Sequence, residues 1–259
     1  MPESDGALLA DAVLAAGAVA LRYWRNSPKS WEKPDGTGPV TEADIAVNDL
    51  MADRLHRARP TYGWLSEETP DSPARLATTA CFILDPIDGT RAFMAGEAHF
   101  AVSLAVAQAG RITAAAIYLP ALDLLYSATA GGAALRNGHP IRCSASPLPG
   151  ATLLCSRPVL AAENWQSPPP VTRHFRASLA YRICLVAEGA FDAMLTLRPT
   201  WEWDVAAGAL IAECAGAMVT DRRGLVPGFN RAEPLLDGMI VAGGAVHQGL
   251  AGLLAQPAP

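Results

Sequence analysis

The chain has 259 residues, 51% of them hydrophobic and 17% charged, which excludes a disordered chain and leaves enough apolar material for a sizeable core. Its 20 basic residues against 25 acidic ones leave a net charge of −5, which argues against the positive surface that polymeric nucleic acid needs. No uninterrupted apolar run reaches the roughly 20 residues of a bilayer crossing, because Asp11 and Arg22 break the alanine-rich start, so no membrane partner is expected.

In chain order, the first predicted element is a helix over 8–24. Its apolar residues recur at helical spacing, Ser4 and Asp5 stand where caps belong, and Ser27-Pro28 stops it. Glu3 and Asp5 put acids where a secretory leader carries basic residues, so export is not expected. The run Lys33-Pro34-Asp35-Gly36-Thr37-Gly38-Pro39 cannot continue a helix and predicts a mobile loop. Thr41 then precedes a second helix over 43–58, with Asp44 placed to close a capping box.

From Tyr62 the period changes. Apolar runs over 63–66, 81–84, 100–107, 112–119 and 124–128, separated by turns such as Ala109-Gly110, predict one partly antiparallel sheet. Asn137-Gly138 and the stretch Ser144 to Gly150 close this block. A boundary is expected near residue 148, dividing an N-terminal α+β domain (1–148) from a C-terminal α/β domain (149–259). The second block alternates strands near 151–155, 191–197, 217–220 and 238–242 with helices near 178–188, 203–215 and 245–254. Ser167-Pro168-Pro169-Pro170 reads as an extended surface loop. The five cysteines (Cys81, Cys143, Cys155, Cys184, Cys214) are odd in number and lack CxxC spacing, so they are read as reduced core thiols of a cytoplasmic protein.

The chemistry concentrates where the apolar run Phe82-Ile83-Leu84 meets Asp85-Pro86-Ile87-Asp88-Gly89-Thr90-Arg91. Two aspartates three positions apart repel unless a cation or proton lies between them, and hard divalent ions favour carboxylate and carbonyl oxygens. Gly89 and Thr90 are suited to open a turn whose free N–H groups accept a phosphate. A solvated turn whose aspartates cap a helix is the simpler alternative. Glu67-Glu68 after a strand, Asp44 at a helix start and Asp204 in Trp203-Asp204-Val205-Ala206-Ala207-Gly208 each have a local structural reading as well. Together they are the acid set of a two-metal hydrolase.

With these motifs in this order, the chain resembles the inositol monophosphatase family of lithium-sensitive, magnesium-dependent phosphatases. Lys33 and Val40-Thr41-Glu42-Ala43-Asp44 match its first-loop pattern, while Ser66 stands where the family usually has glycine. The resemblance implies a layered αβαβα sugar-phosphatase fold of the α/β (α+β) class, commonly a homodimer, acting on a small phosphate ester with two or three Mg²⁺ ions. It further implies that Glu67, Asp85 and the Ile87 carbonyl hold one ion, and that Asp85, Asp88 and Asp204 hold a second. The implied catalytic set is Asp44, Thr90 and Glu67, with Thr90 hydrogen-bonded to Asp44 and orienting a metal-bound water. Gly89 and Thr90 amides would hold the phosphate, and Lys33 would steady its loop.

Within the family, inositol phosphatases carry a glutamate in the strand before the WD motif, where this chain has Thr196 or Leu197. Pro199-Thr200-Trp201-Glu202-Trp203-Asp204 and Cys184-Leu185-Val186-Ala187-Glu188-Gly189 are instead similar to the 3′(2′),5′-bisphosphate nucleotidases of the CysQ type, which act on adenosine 3′,5′-bisphosphate. Arg91, Arg176 and Arg182 are candidates to pair with a second phosphate, and Ser178 matches the substrate-facing helix start. Trp201 is read as core in preference to a base-stacking ring. The alternatives are a broad inositol-1-monophosphatase, a histidinol-phosphate phosphatase, whose branch shares the D-G-T-R-A-F run, and a regulatory protein on a phosphatase scaffold. The complete acid set favours an enzyme.

Overall fold

The computed structural model describes residues 3–33, 36 and 38–255. Helix α1 (Asp5–Tyr23) opens the chain, with Ser4 Oγ accepting the Ala7 N–H at 3.3 Å. Strands β1 (Ser30–Glu32) and β2 (Pro39–Thr41) pair antiparallel, and α2 (Glu42–Ala58) follows at once. Of the predicted loop between the two strands, Pro34, Asp35 and Thr37 lie outside the described residues. The capping box forms as expected: Thr41 Oγ1 accepts from Ala43 N–H, and Asp44 Oδ2 accepts from Thr41 N–H at 2.8 Å.

The first large sheet runs in sequence order through β3 (Gly63–Ser66), β4 (Ala80–Asp88), β5 (Ala101–Gln108), β6 (Arg111–Leu119), β7 (Leu124–Thr129), β8 (Leu135–Arg136) and β9 (His139–Pro140). β3 is parallel to β4 and the remaining pairs are antiparallel. Ala109-Gly110 and Asn137-Gly138 form two-residue hairpin turns in which all four residues have positive φ, the geometry that matches strand twist. The short helix α3 (Thr90–Met94) leaves the end of β4.

The second sheet comprises β10 (Ala151–Leu154), β11 (Val171–His174), β12 (Ala193–Trp201), β13 (Met218–Thr220) and β14 (Leu235–Ala242) in the spatial order β11-β10-β12-β14-β13. Helices α4 (Leu179–Ala187), α5 (Glu202–Cys214) and α6 (Gly244–Leu253) complete the chain. β11 is an addition to the predicted strands; its apolar content is too low to announce it.

Period-2 alternation along β4 sorts its side chains into two layers. Phe82 and Leu84 pack with Leu9, Val13 and Met51 of α1 and α2, whereas Cys81 and Ile83 face α4 and α5 through Ile183, Val205 and Ala209. The same central cluster takes in Met194, Met239 and Val241 of the second sheet, and α6 covers that sheet's outer face with Val246 and Leu250. The layers are thus helix, sheet, helix, sheet, helix, which is the expected αβαβα arrangement. Close α4–α5 contact needs Gly208, since a Cβ there would lie 2.8 Å from Ile183 Cδ1. Residues 141–150 connect the two sheets, and the central cluster draws on both sides of that connector.

One expectation is corrected. By length and apolar composition α1 does suffice to cross a bilayer, Asp11 and Arg22 notwithstanding. Its apolar stripe (Leu8, Leu9, Ala12, Val13, Ala16, Ala20) is buried against α2 and the first sheet instead.

Candidate active site

All nine residues of β4 are buried, and its last turn carries the acids. The β4–β5 register breaks between Asp85 and Asp88, where Pro86 has no N–H to give the ladder. Freed from that pairing, the Ile87 N–H bonds Asp85 Oδ1 at 3.0 Å, and Thr90 Oγ1 donates to the Ile87 carbonyl at 3.2 Å. Gly89 has φ +96°, and a Cβ there would sit 3.1 Å from the His99 carbonyl. Only glycine turns this corner without strain.

The first turn of α5 brings Asp204 to the same place, so that Asp85, Asp88 and Asp204 each offer an oxygen within 4.8 Å of the others. Ser103 Oγ on β5 ties this turn down by donating to the Trp203 carbonyl at 3.3 Å. Asp88 Oδ2 accepts from Ser178 Oγ (2.5 Å) and Ala180 N–H (2.6 Å) at the start of α4. Burial pushes all three carboxyls up, Asp88 to about 6 despite its bonds to Ser178 and Ala180, and Asp85 and Asp204 well above the ordinary range, with their mutual repulsion adding to the rise.

Glu67 follows β3, its N–H bonded to the Leu84 carbonyl at 3.2 Å. Lys33 Nζ lies 2.7 Å from both Glu67 Oε1 and Glu68 Oε1. Although burial opposes its charge, the two glutamates raise Lys33 to about 12. Ser66, in the position where glycine was expected, donates to Asn48 Oδ1 of α2 at 2.7 Å and accepts the Glu68 N–H, anchoring the glutamate turn. Asp44 is pushed up to about 7 by burial, against the pull of Thr41 N–H and Oγ1. The expected Thr90–Asp44 hydrogen bond is not formed among the described residues: Asp44 Oδ2 is engaged by the capping box, and Thr90 Oγ1 by Ile87.

These groups lie along a cleft of about 1310 Å³, lined by Lys33, Glu67, Asp85, Ile87, Asp88, Gly89, Thr90, Arg91, Arg182 and Asp204 among others. The expected site residues are therefore brought together, with two exceptions. Ser178 is fully buried beneath Asp88 and caps α4 through Tyr181 N–H, and Asp44 sits at the foot of α2 outside the lining. Arg182 spends its guanidinium on the carbonyls of Arg176 and Ala177 and lies 4.4 Å from the Phe175 ring centre. Arg176 turns away, its Cζ 5.5 Å from the Phe191 ring. Glu188 accepts from Tyr126 and Arg136 and so ties α4 to the first sheet.

Sequence reasoning missed the cleft's outer wall. Trp201, read as core, stacks on Trp203 (4.8 Å, 10°), and both line the cleft with Trp31 and with Phe175, whose ring is 48% exposed. Arg198 on β12 also lines it, exposed. Pro199 inside a predicted strand was the available signal of an irregular strand at this point.

A model of the inositol monophosphatase family matches residues 4–257. An inositol-1-monophosphatase of Rhizobium meliloti (strain 1021) is 32% identical over 231 residues, covering 85% of this chain and 84% of its own. A 3′-phosphoadenosine 5′-phosphate phosphatase of Mycobacterium leprae (strain TN) is 32% identical over 253 residues, covering 92% and 89%. Among solved structures, the extragenic suppressor protein suhB from Bartonella henselae superposes with a TM-score of 0.82 at 26% identity, covering 95% and 96%.

Proposed function

The chain belongs to the inositol monophosphatase family and is a phosphoric monoester hydrolase, and from that premise we propose that it is a 3′(2′),5′-bisphosphate nucleotidase acting on adenosine 3′,5′-bisphosphate. The observation that carries this reading is the cleft's outer wall: Phe175, Trp201, Trp203 and Arg198 face the opening, and Thr196 and Leu197 stand where an inositol hydroxyl would look for a carboxylate. Aromatic faces suit a nucleobase, and a guanidinium suits a second phosphate.

The acid cluster suits Mg²⁺. Three carboxylates that burial and mutual repulsion hold toward their protonated form need a cation to stay ionised, and an all-oxygen donor set is what a hard divalent ion takes. Asp85, Asp88, Asp204 and Glu67, with the Ile87 carbonyl, are the residues we assign to hold two ions or three. Bound there, magnesium supplies charge neutralisation for the phosphate and acidifies a water for attack. The chain's own groups do the rest. Gly89 and Thr90 N–H groups orient the phosphate, Thr90 Oγ1 and Asp44 take the proton of the attacking water, and Lys33 holds Glu67 in place. We assign the enzyme to the cytoplasm, consistent with its five free cysteines, as a lithium-sensitive homodimer on the family resemblance.

A second reading, a broad inositol-1-monophosphatase, draws on the equal identity of the Rhizobium relative and on Glu233 in the cleft lining. The deciding experiment is kcat/KM with Mg²⁺ for adenosine 3′,5′-bisphosphate, inositol 1-phosphate and histidinol phosphate on one preparation. A preference of about 100-fold for the bisphosphate, about 2.7 kcal/mol of transition-state binding, supports the nucleotidase. A preference for inositol 1-phosphate replaces it with the second reading.

A further inference from the structure

β12 does not run straight into the WD turn. Its pairing with β14 is regular to Thr196↔Met239 and resumes at Pro199↔Asp237, so Leu197 and Arg198 together oppose the single residue Gly238. This is a β-bulge, a device that re-aims a side chain at a functional edge. Gly238 makes it possible: its φ is +67°, and a Cβ there would stand 2.5 Å from the Thr196 carbonyl oxygen and 3.2 Å from Leu197 Cα. Without the bulge, strict alternation would carry Arg198 to a different face.

We propose that Arg198, presented by this bulge, is the specificity-determining residue that binds a second phosphate monoester on the leaving-group side of the substrate. The inference rests on the nucleotidase reading and adds to it the group that recognises the second anion. Arg198 is exposed in the cleft, and among the described residues no carboxylate lies within 4.0 Å of its guanidinium. The other arginines are committed elsewhere. Arg182 is spent on two backbone carbonyls, Arg176 lies outside the lining, and Arg91 stands across the cleft on α3, near Gly38 beside β2. Arg198 is close enough to Asp204 and Arg182 to act on both charges, lowering the proton affinity of each. A phosphate held at the carboxylate cluster therefore leaves its ester substituent within reach of this strand, where Phe175 and Trp201 offer ring faces and Arg198 a fork of donors matched to phosphate oxygens.

The test is Arg198→Gln and Arg198→Lys in the full chain, assayed with Mg²⁺ on adenosine 3′,5′-bisphosphate, adenosine 3′-monophosphate and inositol 1-phosphate, with adenosine 5′-monophosphate as competitive inhibitor. Removing a charged phosphate contact is expected to lower kcat/KM for the bisphosphate in R198Q about 10- to 100-fold, mainly through KM. It should raise the Ki of adenosine 5′-monophosphate alike and leave the two monophosphates within about threefold. R198K should recover part of the loss, since it keeps the charge without the fork. An unchanged bisphosphate preference in R198Q overturns the inference and leaves the nucleotidase standing. Equal losses on all three substrates also overturn it, assigning Arg198 to the support of Asp204. A wild-type enzyme with no preference for the bisphosphate over adenosine 3′-monophosphate removes the nucleotidase reading and this inference together.

Discussion

Ser178 Oγ donates a 2.5 Å hydrogen bond to Asp88 Oδ2 and accepts from Tyr181 N–H, so one hydroxyl both starts α4 and fixes a carboxylate at the end of β4. The residue expected to face substrate thus acts through Asp88. Ser178→Ala should lose the cap, about 1 kcal/mol of stability, and leave Asp88 free to rotate. Groups that orient a metal ligand are worth roughly 10- to 100-fold in metal affinity, so the Mg²⁺ concentration for half-maximal activity should rise by that factor. A lower melting temperature with an unmoved Mg²⁺ midpoint would reduce Ser178 to a helix cap.

Asp88→Asn keeps the acceptor for Ser178 but removes the charge. Because a ligand is lost rather than merely disoriented, kcat/KM should fall by at least about 10³. Near-normal turnover in this variant, at saturating Mg²⁺, contradicts the two-metal assignment.

The acid cluster also sets a pH signature. Burial raises Asp88 to about 6 and Asp44 to about 7 from an ordinary 3.8, and lifts Asp85 and Asp204 further. Each carboxyl binds its proton more tightly in the folded chain. Their contribution to metal-free stability is therefore complete below 3.8 and is lost as pH rises through 6 for Asp88 and 7 for Asp44. Magnesium requires the ionised forms, so the rise in melting temperature on adding Mg²⁺ should be larger near pH 8 than near pH 5. Equal rises at both values would mean the ion does not bind at this cluster.

Glu202, next to the WD pair, does not face the cleft. It is fully buried and accepts the N–H groups of Asn230 (2.6 Å) and Arg231 (3.0 Å), while Arg75, also buried, donates to Asn230 Oδ1 and the Arg231 carbonyl. This clamp holds the segment that supplies Ala232, Glu233 and Pro234 to the cleft wall. Glu202→Gln replaces one acceptor with a donor facing a donor, at a cost of about 1–3 kcal/mol. The melting temperature should drop while the Mg²⁺ midpoint stays put, the reverse balance from Ser178→Ala.

What the sequence disclosed follows from how local each signal is. The D-P-x-D-G-T run, the Thr41–Asp44 capping box and the Asn137-Gly138 turn are written within a few residues, and each forms where it was expected. The Arg75–Asn230 link joins positions 155 apart, and nothing near either residue announces it. Trp201 was taken for core because tryptophans beside strands usually are, yet its partner is Trp203 at the mouth of a cleft. Arg198 was passed over because its direction depends on a bulge, and the bulge depends on a glycine in another strand. Thr90 and Asp44 sit near the site as implied, but each has a nearer hydrogen-bond partner in the folded chain.

Lys33 occupies a peculiar station. With a glutamate oxygen 2.7 Å away on either side, its ammonium is a tethered monovalent ion already resident at the edge of the acid cluster. Any divalent ion that recruits Glu67 must compete with it, whereas Glu68 can keep its hold. The strap between β1 and β2 is thereby coupled to occupancy of the centre, and a simple alkali ion, offering no more charge than the lysine does, gains little by displacing it.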